Sequence, residues 1–326
     1  MSATEPADPI LEPDLAICDA HHHLWHHTGT YWLDELLADT ASGHRIVSTV
    51  FVDCVSHYRD EGPEELRPIG ETEAMEAVAG SCLGHETQAC AAIVGHADVT
   101  RGAGIRPVLE AHCEASPRFR GIRHAAAWDA SGEVPASHTA PPEGLLRDPV
   151  THEAVRELAR IDGVFEAWCY HPQIPDVAVL ARACPDVTIV LNHYGGPLGI
   201  GPYAGRADEV FADWRANITA LAACENVVVK LGGLHMRRNG FGFETWDPPP
   251  TSAQLAAATR RYPLATIDAF GPERCLFESN FPVDRVSCSY ATLWNAFKRI
   301  VADFSPGEKA LLFHDTAARV YWPKEA

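Results

Sequence analysis

The sequence lacks several features that would place the protein outside the ordinary globular class. No apolar run approaches the ~20 residues needed to span a bilayer. The ten cysteines are scattered, without paired spacings and without a Cys-x-x-Cys motif. The first residues carry neither the basic nor the apolar region of a signal peptide. We therefore expect no membrane span, and reduced thiols in a cytoplasmic protein.

Basic residues are scarce, with 26 Lys and Arg against 44 Asp and Glu and a formal net charge of -18. Such a balance disfavours nucleic acid or an anionic membrane as the main partner. With 46% apolar and 21% charged residues, the chain is otherwise an ordinary globular protein. The composition favours solubility and leaves open whether copies of the chain form a homo-oligomer.

Glycine-rich nucleotide-binding motifs are also missing, since no Gly-x-Gly-x-x-Gly follows the first strand and no Gly-x-x-x-x-Gly-Lys-Ser/Thr occurs. Short apolar segments instead alternate with helical patterns along the whole chain. The strands predicted from these segments are 17–25, 46–52, 91–94, 121–124, 165–169, 187–191, 227–231 and 275–278. Eight is the number of parallel strands that closes a barrel, so we predict a (β/α)₈ TIM barrel over the rival open sheet.

The predicted organisation is a single domain with a short arm. Residues 1–14 hold three prolines and four acidic residues without periodicity and are expected to form a flexible N-terminal arm. Residues 15–326 then form the barrel domain. The Pro-containing segments 131–149 and 235–250 are predicted to be loop insertions over its C-terminal face, because loops of this length inside a domain are usually functional. A helix is predicted over 71–89.

The first strand runs directly into a His-x-His pair, His21 and His23. Residues two apart on an extended strand face the same side, so both imidazoles can converge on one point while His22 faces away. Asp19 shares the predicted face by the same spacing. The pair predicts a metal or substrate site at the end of this strand.

Polar residues also follow the later strands. In a barrel these strand ends meet at one mouth, where active sites are built. The residues in this position are Arg123, His124, His171, His193, His235, Arg237, Asn280 and Asp284. The regular placement predicts a composite site made of many strand ends.

Three motifs resemble the amidohydrolase superfamily, in the branch of TIM-barrel hydrolases that includes 2-pyrone-4,6-dicarboxylate lactonase and sugar lactonases. They are Asp19-Ala-His-His-His-Leu-Trp25, Leu191-Asn-His-Tyr-Gly-Gly-Pro197 and Leu276-Phe-Glu-Ser-Asn-Phe-Pro282. The resemblance implies metal or substrate contacts from the first two motifs and a water-handling Asp in the third. Asn280 stands at that Asp position, and an amide cannot act as an anionic base. Asp284 and Glu278 are the nearby carboxylates that could replace it.

The histidines leave two alternatives for a cofactor. His21, His23 and either His171 or His193 would supply the three protein ligands that a catalytic divalent ion, zinc first, requires. Some lactonases that the chain resembles work without a metal and use the same histidines to hold the substrate. The predicted catalytic set is His21, His23, His171, His193, Asn280 and Asp284.

Substrate contacts are predicted from arginines and aromatic residues at the strand ends. Arginine binds carboxylates bidentately, so Arg123 and Arg237 suit a small anionic substrate. His124, Tyr170 and Tyr194 are predicted to complete the pocket. The predicted function is hydrolysis of a small carboxylated lactone, or of a related ester or amide. A metal-dependent, non-oxidative decarboxylase and an inactive barrel that binds a small acid are the alternatives.

Overall fold

The computed structural model describes residues 8–27 and 29–322. Eight strands follow one another along the chain with helices between them. They are β1 (Ala16–His22), β2 (Arg45–Val52), β3 (Gln88–Gly95), β4 (Phe119–Arg123), β5 (Val164–Ala167), β6 (Ile189–Leu191), β7 (Val227–Leu231) and β8 (Cys275–Phe277). Each lies in or overlaps a predicted segment.

The strands form one sheet in the order β1 to β8, and each neighbouring pair is parallel. The last strand returns to the first just beyond its end. There the backbone N–H of His23 donates to the carbonyl of Phe281 at 2.8 Å, and the N–H of Asn280 donates to the carbonyl of His21 at 2.9 Å. The sheet is thus a nearly closed barrel, and the predicted (β/α)₈ fold is confirmed.

Helices alternate with the strands and surround the barrel. They are α1 (Leu33–Thr40), α2 (Ile69–Ser81), α3 (Arg106–Ala115), α4 (Pro149–Glu157), α5 (Ile174–Ala183), α6 (Ala207–Leu221), α7 (Ser252–Thr259), α8 (Arg261–Phe270), α9 (Tyr290–Ile300), α10 (Pro306–Ala310) and α11 (Thr316–Tyr321). Capping boxes begin α7 at Thr251 and α10 at Ser305. Among the described residues, no helix combines the length and apolar character that a membrane crossing requires.

The helix predicted over 71–89 is shorter than expected. It ends at Ser81, and residue 89 already belongs to β3. Gly84 lies between them with φ +89°, a backbone conformation that suits glycine and turns the chain into the strand. The apolar spacing at 82 and 83 continued the helical pattern, but the turn ended the helix.

Two apolar layers hold the barrel together. Small side chains such as Val50, Val52 and Val228 fill its interior, and Tyr321 of α11 joins them. Larger side chains such as Phe51, which alternates with Val50 and Val52, pack between the sheet and the helices. The strands therefore present small residues inward and leave room for polar groups at the mouth.

The long segments after β4 and β7 cover one part of the barrel mouth. Val134 packs in a cluster with Tyr170, Leu198 and Met236. The hydroxyl of Tyr170 donates to the carbonyl of Pro135 at 2.5 Å. These contacts tie the segments together beside the strand ends.

At the opposite side, the N-terminal segment lies against the helices. Residues 1–7 of the predicted arm lie outside the described residues. The carboxylate of Asp8 accepts from the backbone N–H of Ser252 at 3.0 Å. Nζ of Lys298 donates to the carbonyls of Leu11 and Glu12 at 2.8 and 2.9 Å. Residues 8–14 are thus held by α7 and α9.

Candidate active site

A group of three buried side chains lies at the centre of the barrel mouth. His21 comes from the end of β1, His193 follows β6, and Glu278 follows β8. One donor atom from each lies within 4.8 Å of the others. Oε1 of Glu278 lies 2.6 Å from Nδ1 of His193, and Oε2 lies 2.9 Å from Nδ1 of His21. The carboxylate therefore lies between the two imidazoles, hydrogen-bonded to His193 and in close contact with His21.

The local backbone brings His193 to this position. His193 and Tyr194 both have positive φ, 52° and 57°, which turns the chain sharply after β6. Gly233, on the loop after β7, passes directly against the ring. A Cβ at Gly233 would lie 2.4 Å from Nδ1 of His193, so any other residue would displace the imidazole. This close approach is the reason for glycine there.

His23 lies beside the group of three. Its Nδ1 lies 2.8 Å from the carbonyl of Val52, which can only accept, so the proton is on Nδ1. Nε2 of His23 then presents a lone pair 3.2 Å from Nε2 of His21. The spacing predicted correctly that the two imidazoles meet.

Arg123, the last residue of β4, adds a positive charge to the same centre. Its Nη1 lies 3.4 Å from Nε2 of His21. Nη2 donates to the carbonyl of Asp53, which fixes the guanidinium. Nε is buried without a hydrogen-bond partner among the described residues. The guanidinium thus keeps a donor for a further acceptor.

Below the histidines lies a fully buried ion pair. Nζ of Lys230 lies 2.8 and 2.7 Å from the two carboxylate oxygens of Glu166. The carboxylate also accepts from Nδ2 of Asn192 at 2.6 Å and from the hydroxyl of Tyr321. Nζ of Lys230 lies 3.3 Å from Nδ1 of His21. The pair therefore supports the site from inside the barrel.

Burial sets the protonation of the histidines. It lowers the pKa of His193 to about 3. It also holds the pKa of His21 well below its usual value, with the nearby Lys230 charge lowering it further. His23 is shifted in the same direction by burial and by Arg123, and its pKa is well below normal. All three imidazoles are consequently neutral near pH 7 and keep a lone pair.

Two predicted residues lie away from this centre. His171 packs on Tyr203, with ring centroids 5.0 Å apart, and its Nδ1 accepts from the backbone N–H of Leu198 at 3.4 Å. Tyr194 is buried in the layer between sheet and helices, and its carbonyl accepts from Nε1 of Trp214 at 2.7 Å. The structure does not bring these side chains to the three central residues.

Of the two arginines after β7, Arg238 and not Arg237 contacts the mouth. Arg237 is exposed to solvent. Nη1 of Arg238 donates to the hydroxyl of Tyr170 at 2.8 Å, and its guanidinium lies 5.8 Å from the ring centre of Trp168. Trp168 in turn packs edge-on against His193 at 4.8 Å. Tyr170 and Trp168 therefore form a wall beside the site.

His124 lies on the other flank of the mouth. Its ring stacks on His96 with centroids 5.2 Å apart, and its Nδ1 lies 3.4 Å from the carbonyl of Ala97. Nδ1 of His96 contacts the carbonyl of Arg123 at 3.0 Å. The two rings thus pack behind the strand end that carries Arg123.

Asn280 and Asp284 belong to the mouth beyond β8. Nδ2 of Asn280 donates to Oδ1 of Asp284 at 2.8 Å. Oδ2 of Asp284 lies 3.2 Å from Nδ1 of His235, a residue of the loop after β7. Both Asp284 and His235 are buried. Asp284 therefore links the third motif to a histidine.

The chain's relatives agree with this architecture. Residues 18–322 match the amidohydrolase family model. The protein belongs to the amidohydrolase family. An uncharacterized protein named y4mH from Sinorhizobium fredii is 33% identical over 324 residues, which is 94% of this chain and 99% of that protein. An L-fucono-1,5-lactonase from Burkholderia multivorans is 27% identical over 277 residues, 81% of this chain and 86% of the relative. The predicted family is confirmed.

A solved amidohydrolase has the same fold. The crystal structure of an amidohydrolase from Burkholderia multivorans with bound zinc has a TM-score of 0.70 and 23% identity. The similarity covers 94% of this chain and 99% of that one. This structural similarity supports the barrel fold, and it does not depend on the strands predicted from the sequence.

The donor set of this amidohydrolase fits a divalent metal ion. Neutral imidazoles and a carboxylate are the usual ligands of a three-residue catalytic site. Although Oε2 of Glu278 is close to His21, it has no hydrogen-bond partner among the described residues. A buried carboxylate oxygen without a donor is expected to meet a cation. The group of His21, His193 and Glu278 therefore could hold such an ion.

Proposed function

We propose that the chain hydrolyses a small lactone that carries a carboxylate, at the site formed by His21, His193 and Glu278. The observation that carries the proposal is this buried group, which lies at the mouth of an amidohydrolase barrel. The neighbouring guanidinium of Arg123 adds an anion-binding group. The lactonase activity named for the Burkholderia relative supports the same class of reaction.

We assign zinc as the ion, with His21, His193 and Glu278 as its protein ligands. When bound, it would supply Lewis-acid polarisation of a carbonyl and a lower pKa for water. The protein holds the ligands ready, because burial keeps the imidazoles neutral. Lys230 fits beneath the site because its charge is paired with Glu166.

Arg123 is the group that would orient the substrate. A guanidinium binds a carboxylate through parallel hydrogen bonds, and such charged bonds are stronger than neutral ones. Arg123 is buried and fixed by its bond to Asp53, so its direction is set before substrate binds. His23 lies within the same space. His124 and Tyr170 remain predicted contacts for more distant parts of the substrate.

An assay of lactone hydrolysis tests the proposal. The purified chain is given a panel of sugar lactones and carboxylated lactones, and acid release is followed with a pH indicator. We expect turnover of at least one carboxylated lactone, and a loss of at least ~100-fold for His193→Ala, within the usual range for a lost catalytic group. His44→Gln is the matched control, because this buried histidine precedes β2 at the opposite end of the barrel. Equal rates for the wild type and His193→Ala would contradict the site assignment.

Metal analysis tests the cofactor separately from activity. Elemental analysis of the purified chain is expected to give one zinc ion for each chain. Glu278→Gln should lower that ratio, while His44→Gln should keep it. A chain that holds no divalent ion and loses no activity with a chelator would contradict the zinc assignment. Carbon dioxide release from an aromatic or unsaturated acid, without lactone turnover, would favour decarboxylation instead.

A further inference from the structure

A second histidine at the mouth, His235, is held in one orientation by Asp284. Nδ1 of His235 lies 3.2 Å from Oδ2 of Asp284, and the backbone N–H of His235 donates to the same oxygen at 3.2 Å. The hydroxyl of Ser287 donates to the carbonyl of His235 at 2.6 Å. An ionised carboxylate only accepts hydrogen bonds. Nδ1 of His235 therefore carries the proton, and Nε2 presents its lone pair.

That lone pair is buried and has no hydrogen-bond partner among the described residues. His112, a histidine in the helix layer, differs, since its nitrogens contact a threonine hydroxyl at 2.8 Å and a backbone carbonyl at 3.0 Å. His22 also leaves a buried nitrogen unpartnered, but its ring packs against Phe51 outside the barrel interior. Buried polar atoms are normally bonded, so the free nitrogen of His235 requires an explanation.

The position of His235 connects it to the proposed site. Gly233, two residues earlier on the same loop, lies against the ring of His193. Asn280, which donates to Asp284, is also bonded through its backbone to the carbonyl of His21. His235 and Asp284 thus border the three central residues.

Asp284 is poorly suited to be the base itself. Its Oδ1 accepts from Asn280, and its Oδ2 accepts from both the ring and the backbone of His235. Its oxygens are therefore occupied by three donors. An acid that orients a histidine, whose other nitrogen is free, is the arrangement that activates water or a hydroxyl in many hydrolases.

We propose that His235 is the general base of the reaction and that Asp284 is its positioning residue. This assignment rests on the lactone hydrolysis proposed above. Nε2 of His235 takes a proton from water while the water oxygen bonds to the carbonyl carbon. The bond from that carbon to the ring oxygen then breaks, and the imidazolium returns the proton to the departing oxygen. The product is the open hydroxy acid, and His235 is neutral again.

Chemical rescue tests the assignment. His235→Ala is expected to lower kcat by about 10²- to 10⁴-fold, the usual contribution of a general base, with a KM within a few-fold of the wild type. Added imidazole should restore a clear part of the lost rate and should saturate. Asp284→Asn should also lose rate but gain nothing from imidazole, because its histidine ring is still present. His44→Gln is the control for effects of imidazole on the assay.

Each outcome decides between the assignments. His235→Ala with wild-type kcat, or with a lost rate that imidazole does not restore, overturns the role of His235. If His235→Ala does not fold, His235→Gln replaces it in the test, since an amide cannot take the proton. Wild-type kcat in His235→Gln overturns the role of His235 as the base. A loss of kcat as large as that expected for His235→Ala supports it. In another outcome, the wild type turns over a lactone while His193→Ala loses that activity and His235→Ala keeps it. That result leaves the proposed function intact and removes only the role of His235. No turnover of any lactone by the wild type overturns the proposed function itself.

Discussion

Replacing Lys230 with methionine tests the ion pair beneath the site. Methionine approximates the length of the side chain but removes the charge, so the Glu166 carboxylate stays buried without its cation. Breaking a buried pair by removing one partner costs about 3 to 5 kcal/mol. Tyr321 and Asn192 would still donate to the carboxylate. We therefore expect Lys230→Met to lower the free energy of unfolding by about 3 kcal/mol, the lower end of that range.

A double variant separates the charge from the lost packing. Glu166→Gln, added to Lys230→Met, removes the isolated charge and keeps a carbonyl oxygen for the Tyr321 hydroxyl. An uncharged buried group that lacks a partner costs about 1 to 3 kcal/mol, less than an unpaired charge. The double variant should therefore be more stable than Lys230→Met alone, although it carries one more substitution.

Urea unfolding at pH 7, followed by circular dichroism, measures Lys230→Met, Glu166→Gln alone and the double variant against the wild type. Similar m-values would show that the variants unfold with similar exposure of surface, so that the free energies can be compared. If the double variant loses as much as the sum of the two single variants, the residues act independently. That result would refute the ion-pair argument.

Two further predictions concern acid stability and substrate charge. Burial lowers the pKa of His112 to about 4 from its usual value of 6.5. The unfolded chain gains this proton first, so stability falls as the pH drops from 6.5 towards 4, by about 2 kcal/mol at pH 5. The free energy of unfolding, measured with urea at pH 7 and pH 5, should therefore fall less in His112→Gln than in the wild type. An equal fall in both proteins would contradict the prediction. Arg123→Gln should raise KM for a carboxylated lactone by about 10- to 100-fold, since a bond to a charged group contributes about 1.5 to 3 kcal/mol. A neutral lactone should be affected less, and equal effects in steady-state kinetics would contradict carboxylate recognition.

The barrel could be predicted because its strands are short, apolar and separated by helical patterns. In the structure Val228 and Val164 lie inside the barrel. The period of two carries Lys230 and Glu166 to the interior as well, each two residues further along its strand. A single charged residue within each of two otherwise apolar strands could have indicated this buried ion pair. It was missed because both residues lie within the strands, whereas the site was expected from residues that follow the strand ends.

The face of β1 shows where periodicity is insufficient. The spacing predicted that Asp19 shares a face with His21 and His23. Instead, its carboxylate accepts from the hydroxyls of Ser279 at 2.6 Å and of Tyr290, in α9, at 2.9 Å. The pairing of β1 with β2 shifts register between Asp19 and His22, which breaks the alternation. No local sequence pattern reveals such a bulge.

The contacts after β7 depended on tertiary structure. Arg237 and Arg238 are neighbours, and the sequence offers no reason to choose between them. A short 3₁₀ turn over Arg237–Asn239 leaves the first exposed and brings the second to Tyr170. Likewise, the bond between His235 and Asp284 joins loops from two different strands, and only their folded arrangement sets it.

The reaction either uses His235 as its general base, as proposed above, or needs an aspartate at position 280, as the family resemblance implies. The two accounts make opposite predictions for a substitution of Asn280. If the chemistry needs the aspartate that the family resemblance implies, Asn280→Asp should raise the rate of lactone hydrolysis. The geometry argues for the reverse. Nδ2 of Asn280 donates to Asp284 at 2.8 Å, so an aspartate would place two buried carboxylates face to face, where both cannot be ionised. We expect Asn280→Asp to lower kcat at least ~10-fold, because a proton shared between the two carboxylates weakens Asp284 as the acceptor that orients His235.

A reciprocal exchange makes this prediction specific. In Asp284→Asn alone, the amide of Asn280 still donates, so the new amide accepts there and turns its own N–H₂ towards His235. That contact puts the ring proton on Nε2 and removes the base. With Asn280→Asp added, the new amide at position 284 donates to the new carboxylate at position 280, and its oxygen again accepts from Nδ1 of His235. The double variant should therefore regain part of the rate that Asp284→Asn loses, measured as kcat on the same lactone. A double variant no faster than Asp284→Asn, with Asn280→Asp faster than the wild type, would show that an anion at position 280 handles the water.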